Sequence, residues 1–146
     1  MAVALLDVNV LVALFDADHV HHELAHDWFA DHGREAWATC PTTEAGFVRV
    51  LTNPAYQSAE LRPATVIALM RRFCASGGHH VWTDAVSLRD AKLFEVSLIR
   101  GHRQVTDVYL LGLAHHMKGR LATFDRTIPV KAVVGAKPDL LQVIEP

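Results

Sequence analysis

The sequence predicts an α/β protein with a short, mainly parallel sheet covered by helices on both faces. Three observations carry this. Short apolar runs at Val3–Leu6, Glu35–Cys40, His79–Trp82, Arg120–Phe124 and Leu140–Ile144 alternate with segments of helical period. The first and fourth runs lead straight into an acid, Asp7 and Asp125. No repeat, low-complexity tract or hinge breaks the alternation, and 146 residues, 51% of them hydrophobic, suffice for one domain spanning 1–146 and are too few for two ordinary ones.

In chain order, Asn9 is the expected cap of a short helix through Leu14, after which Asp16 to His19 make a break. His22 to Asp31 follow as a helix with Leu24, Ala25, Trp28 and Phe29 on one face, closed by Gly33. Pro41 ends the second strand, and Thr42 or Thr43 is expected to cap a helix to about Thr52. In that helix Glu44, Phe47, Val48 and Leu51 share a face. Asn53-Pro54 breaks it, and residues 55–62 read as a loop. Pro63 suits the first turn of the next helix, which carries Val66, Ile67, Leu69, Met70 and Phe73 and stops at Gly77-Gly78. Trp82 reads as a packing anchor. Ser87 and Asp90 suggest a capping box, with Leu88, Ala91, Phe94, Glu95 and Leu98 continuing a helix to near Gly101. Thr106 is the expected N-cap of a helix over Val108 to Met117, with Asp107 in its first turn and Gly119 beyond its end.

Composition narrows the function. The longest apolar run falls well short of the roughly 20 residues that span a bilayer, and the apolar start lacks a basic leader and contains Asp7, so a cleaved signal is not expected. Cys40 and Cys74 sit in apolar surroundings and read as buried thiols, which together suggest a cytoplasmic protein. A net charge of −2 argues against nucleic-acid binding over the whole surface. It leaves room for a local basic rim drawn from Arg62, Arg71, Arg72, Arg89, Arg100, Arg103, Arg120 and Arg126. His22 and His26 form an i,i+4 pair, for which a solvated or capping role outweighs metal ligation.

Asp7 and Asp125 end predicted strands, and Glu44 and Asp107 stand near helix starts. In a parallel sheet those positions face one side, so four distant carboxylates are expected to share a pocket. Crowded acids raise one another's pKa unless a cation joins them, and all-oxygen ligation suits Mg²⁺ or Mn²⁺ better than zinc. Asn9, Thr106 and Thr123 are the expected supports that orient waters or carboxylates. Such a site suits phosphodiester hydrolysis.

These segments resemble the motifs of PIN-domain ribonucleases, in particular the VapC-type toxins of bacterial toxin–antitoxin pairs. LLDVNVLVAL resembles the first acidic motif and places its acid on Asp7; TTEAGFVRVLTNP the second, on Glu44; VTDVYLLGLA the third, on Asp107; and LATFDR the fourth, on Asp125. HHELAHDWF, His21 to Phe29, is similar to the segment after the first helix in one branch of these toxins. The resemblance covers nearly the whole chain. It implies a PIN-like three-layer α/β/α fold and a Mg²⁺- or Mn²⁺-dependent endoribonuclease that cuts structured RNA such as tRNA or rRNA. It further implies a homodimer and a VapB-like antitoxin whose tail covers the acidic groove. One departure is that many relatives place a second acid near the third motif, where this chain has Asp107 alone, with Asp90 and Glu95 as outer candidates. That favours one metal over two.

Two other readings compete. An aspartate-dependent phosphatase with Asp7 as nucleophile wants a second Asp two residues on, where this chain has Asn9, and a late phosphate-binding lysine, for which only Lys131 and Lys137 offer themselves. A non-catalytic binding module on the same fold leaves four well-placed acids unexplained.

Overall fold

The computed structural model describes residues 2–56 and 61–146. Five strands, β1 (Ala4–Leu6), β2 (Trp37–Thr39), β3 (His79–Val81), β4 (Arg120–Thr123) and β5 (Leu141–Val143), pair in parallel in the order β3-β2-β1-β4-β5. Between them run α1 (Val8–Phe15), α2 (His22–Trp28), α3 (Pro41–Thr52), α4 (Pro63–Cys74) and α5 (Val105–His116). All five strands fall within the predicted runs. Residues 57–60 of the expected 55–62 loop lie outside the described residues.

The layering follows from the period of two along each strand. Ala4, Leu6, Trp37 and Ala122 face one side and pack with Val10, Phe47 and Val66, from α1, α3 and α4. Leu5, Ala38 and Leu121 face the other and pack with Leu110, Leu111, Leu113 and Phe94 around α5. The result is a three-layer α/β/α fold. The central strands are buried on both faces, which is why they read as unbroken apolar runs. Each fully buried Leu, Trp or Phe contributes about 1.5–3 kcal/mol relative to exposure, so these clusters fix which way each strand faces. No helix among the described residues is long and apolar enough to cross a membrane.

Three helix starts differ from expectation. Helix α1 begins at Val8, not after Asn9, because the Asp7 carboxylate accepts the Val8 N–H at 2.7 Å and takes the cap. Asn9 is exposed in the first turn. Helix α3 is capped by Cys40 in place of Thr42 or Thr43. Pro41 occupies the first helical position, and the Thr43 hydroxyl accepts the Cys40 N–H at 3.0 Å. Helix α5 is capped by Gln104, not Thr106, because a 3₁₀ turn over His102–Gln104 feeds directly into it and draws Thr106 into the first turn.

A larger correction concerns the helix expected over Leu88 to Leu98. The Asp90 carboxylate accepts the Lys92 N–H at 2.9 Å, a local bond that competes with helix. The backbone then pairs with a distant segment: Glu95 N–H donates to the Ala132 carbonyl at 2.8 Å and Val134 N–H to the Leu93 carbonyl at 2.8 Å. Only a 3₁₀ turn, Val96–Leu98, remains. The apolar spacing served a different end, since buried Phe94 lies against Gly112 of α5. A Cβ at Gly112 would stand 2.2 Å from the Phe94 ring. Gly112→Ala is therefore expected to cost about 1–3 kcal/mol through overpacking, lowering the melting temperature by several degrees, about 2–4 °C per kcal/mol at this size. Thermal denaturation followed by circular dichroism checks this.

Candidate active site

Parallel pairing brings the carboxyl ends of β1 and β4 side by side, with Leu6 in register with Ala122 and the Asp7 N–H donating to the Ala122 carbonyl at 3.0 Å. Asp7 is 6% exposed, so its carboxylate sits within the fold. One oxygen accepts the Val8 N–H at 2.7 Å, and the other accepts the hydroxyl of buried Thr123 at 2.8 Å. The Thr123 oxygen in turn accepts the Asp125 N–H at 3.1 Å. Thr123 thus ties the two strand-end acids together. The exposed Asp125 carboxylate is held by Thr127, whose N–H and hydroxyl both donate to Oδ1, at 2.8 and 2.6 Å. Asp107 stands half-buried in the first turn of α5.

Electrostatics couples these three. Burial pushes the Asp7 carboxyl above its ordinary value, hydrogen bonds from Thr123 and Val8 oppose that, and repulsion from Asp125 adds to it. Asp107 is pushed up to about 7, by burial first and then by the charges of Asp7 and Asp125. Among the described residues, no lysine or arginine forms an ion pair with Asp7, Glu44, Asp107 or Asp125.

Glu44 is placed differently. It lies on the same edge, at the start of α3, but the repulsion felt at Asp7 and Asp107 comes from aspartates and not from it. The hydroxyl of Thr39, fully buried at the end of β2, donates to Glu44 Oε2 at 2.7 Å. His79 Nε2 stands 2.8 Å from the same hydroxyl oxygen, and since the Thr39 proton is spent on Glu44, that nitrogen is the donor. The Thr39–Glu44 contact is local, five residues across the β2–α3 junction, but His79 is 40 residues from Thr39 and only the β2–β3 pairing brings it there, which no local pattern in the sequence reports.

The other expected residues divide. Thr123 touches Asp7 as described. Asn9 and Thr106 are exposed and make no hydrogen bond to the four acids among the described residues. Asp90 and Glu95 are spent on local bonds to the Lys92 N–H and the Ser97 hydroxyl. His22 and His26 bond the Ala13 and Leu14 carbonyls, both at 2.7 Å, at the carboxyl end of α1. That is the capping role.

The donors at this edge are hard oxygens bearing uncompensated negative charge, the chemistry a small divalent cation neutralises. As they stand, no three His, Cys, Asp or Glu side chains among the described residues surround a single point closely enough to hold an ion. Like charges with no counter-ion between them keep apart. The donor chemistry fits a hard cation.

A short parallel sheet between two helical layers, with repelling aspartates at its carboxyl edge, defines the class: an acidic-edged α/β/α protein. Residues 4–133 match the PIN domain family model. Over 133 residues, 91% of this chain and 93% of the relative, the sequence is 45% identical to ribonuclease VapC44 of Mycobacterium tuberculosis. It is 41% identical to ribonuclease VapC39 of the same organism over 90% of this chain and 95% of the relative. Ribonuclease VapC38 shares 48% identity over 84% of each chain. The chain belongs to the PIN-domain family, among its VapC members.

Proposed function

We propose that this protein is a divalent-metal-dependent endoribonuclease toxin of the VapC type, restrained by a VapB-like antitoxin. The observation that carries the reading is the repulsion among Asp7, Asp107 and Asp125, drawn from three separate parts of the chain, with no lysine or arginine ion-paired to them among the described residues. Mg²⁺ or Mn²⁺ would be held by these aspartates, with Glu44 contributing from α3. Such an ion, when bound, polarises the phosphodiester, lowers the pKa of its water and steadies charge on the leaving oxygen. The chain's own residues do the positioning. Thr123 and the Val8 N–H aim Asp7, Thr127 fixes Asp125, and Thr39 backed by His79 aims Glu44. The substrate is structured cellular RNA such as tRNA or rRNA, cut to a 3′-hydroxyl and a 5′-phosphate. The working protein is a cytoplasmic homodimer of single-domain subunits, and the antitoxin's tail covers the acidic groove with a basic side chain.

The test is incubation of the purified protein with total cellular RNA, followed by mapping of new 5′ ends. Discrete cuts are expected with Mg²⁺ or Mn²⁺, lost on chelation and restored by either ion. Random degradation, or cutting that survives chelation, overturns the reading.

A further inference from the structure

A ring cluster flanks the acidic edge, and the acids do not account for it. Phe124 stands between Thr123, which binds Asp7, and Asp125. Its half-buried ring packs against His21 at 4.5 Å and lies stacked with His19 at 6.2 Å between centroids, the two imidazoles being 5.8 Å apart.

The loop that carries the imidazoles is tied down turn by turn. Asp18 N–H donates to Asp16 Oδ1 and His21 N–H to His19 Nδ1, each at 3.0 Å. His19 N–H bonds the Asp16 carbonyl and His22 N–H the His19 carbonyl, again at 3.0 Å. Beneath it, His22 and His26 clamp the end of α1. The backbone that carries the rings is therefore held by these bonds, and a ligand meeting it would lose little to ordering the loop. Among the described residues no side chain hydrogen-bonds the His21 imidazole, which packs against Phe124 with the ring planes tilted by 34°. Burial also keeps the His19 pKa below its ordinary value, which favours a neutral ring face over a phosphate clamp.

We infer that His21 and Phe124, backed by His19, form a stacking shelf for one unpaired nucleobase of the RNA, beside the phosphodiester presented to the aspartates. Unpaired bases are held on Phe and His faces in this way, and every base offers a π-face. The inference rests on the ribonuclease reading for the identity of the polymer, but the shelf itself is testable without cleavage.

The probes are 5′-AMP and, as the control lacking a base, ribose 5-phosphate, each added to the intact protein while imidazole C–H signals are followed by NMR. The His21 signals are identified by their loss in His21→Phe. Upfield movement of these signals with 5′-AMP and none with ribose 5-phosphate is expected. Equal movement with both marks a phosphate site and overturns the shelf, as does no movement with either. In cleavage at a mapped RNA site, His21→Ala is expected to raise KM about tenfold, the effect of one lost stack, with kcat held within about twofold and His21→Phe restoring KM. Equal defects in the Ala and Phe variants, or an unchanged KM in His21→Ala, overturn it. If the parent protein cuts no RNA while 5′-AMP still moves the His21 signals, the ribonuclease reading fails and the nucleobase shelf stands.

Discussion

Asp7→Asn is expected to lower the rate of RNA cleavage about 10³-fold, a barrier change of about 4 kcal/mol, the share that a carboxylate holding a divalent ion would supply to stabilising developing charge. The same substitution is expected to leave the fold intact. Asparagine keeps the shape, and its oxygen still accepts the Val8 N–H that begins α1. The amide NH₂ then faces Thr123, whose hydroxyl rotates to accept. What disappears is a nearly buried charge whose pKa is raised by burial and by Asp125. Folding gives up stability to keep such a group ionised, so the variant is expected to melt no lower than the parent at pH 8. Asp7→Ala differs, because it strands the Val8 N–H and the Thr123 hydroxyl, at about 1–3 kcal/mol for each buried group left unpaired. Cleavage of end-labelled RNA and thermal melts of both variants separate the roles. Undiminished cutting by Asp7→Asn, in a preparation free of other nucleases, would remove the site from the reaction.

The parts of this site that were legible in the sequence are those that local rules encode. Asp7 and Asp125 stand where a buried run stops, and a parallel sheet gathers strand ends. Thr123 was legible for the same reason, being two residues before Asp125. Glu44 and Asp107 could be placed near helix mouths, but ordinary first-turn acids occupy the same positions, and their assignment leaned on motif resemblance. The support of Glu44 was not legible. Thr39 and His79 meet only because β2 pairs with β3, and no local pattern reports that register. The 88–98 segment shows the opposite failure. Its apolar spacing mimics a helix, yet long-range backbone pairing with residues 132–134 and the need to seat Phe94 on Gly112 outweigh it. Tertiary pairing decided that stretch, and a window of ten residues does not contain it.

Asp107 is expected to make activity and stability respond to pH with opposite signs. Its carboxyl is pushed from 3.8 to about 7 by burial and by the charges of Asp7 and Asp125. In the unfolded chain it titrates near its ordinary value. As pH rises from about 4, the unfolded chain releases this proton while the folded chain keeps it until near pH 7, so the unfolded state gains and stability falls across that window. Above pH 7 both states are ionised and the contribution is flat. Asp107→Asn removes the loss and is expected to be more stable than the parent above pH 7, by about 1–2 kcal/mol once solvent screening of a half-exposed side chain is discounted. The advantage shrinks toward pH 4. Activity is expected to run the other way, since only the ionised carboxylate would serve a cation. Below pH 7 the metal concentration for half-maximal cleavage is expected to rise about tenfold per pH unit, because proton and metal compete for one group. Saturating Mg²⁺ or Mn²⁺ is expected to move the acidic limb to lower pH and to raise the melting temperature of the parent at pH 8, and Asp107→Asn to lose most of both effects. Melting curves and metal titrations at pH 5, 6, 7 and 8 read these signs directly. A parent whose stability rises from pH 4 to pH 7 relative to Asp107→Asn would show that this carboxylate already has a cationic partner within the chain, leaving no charge for a metal to neutralise.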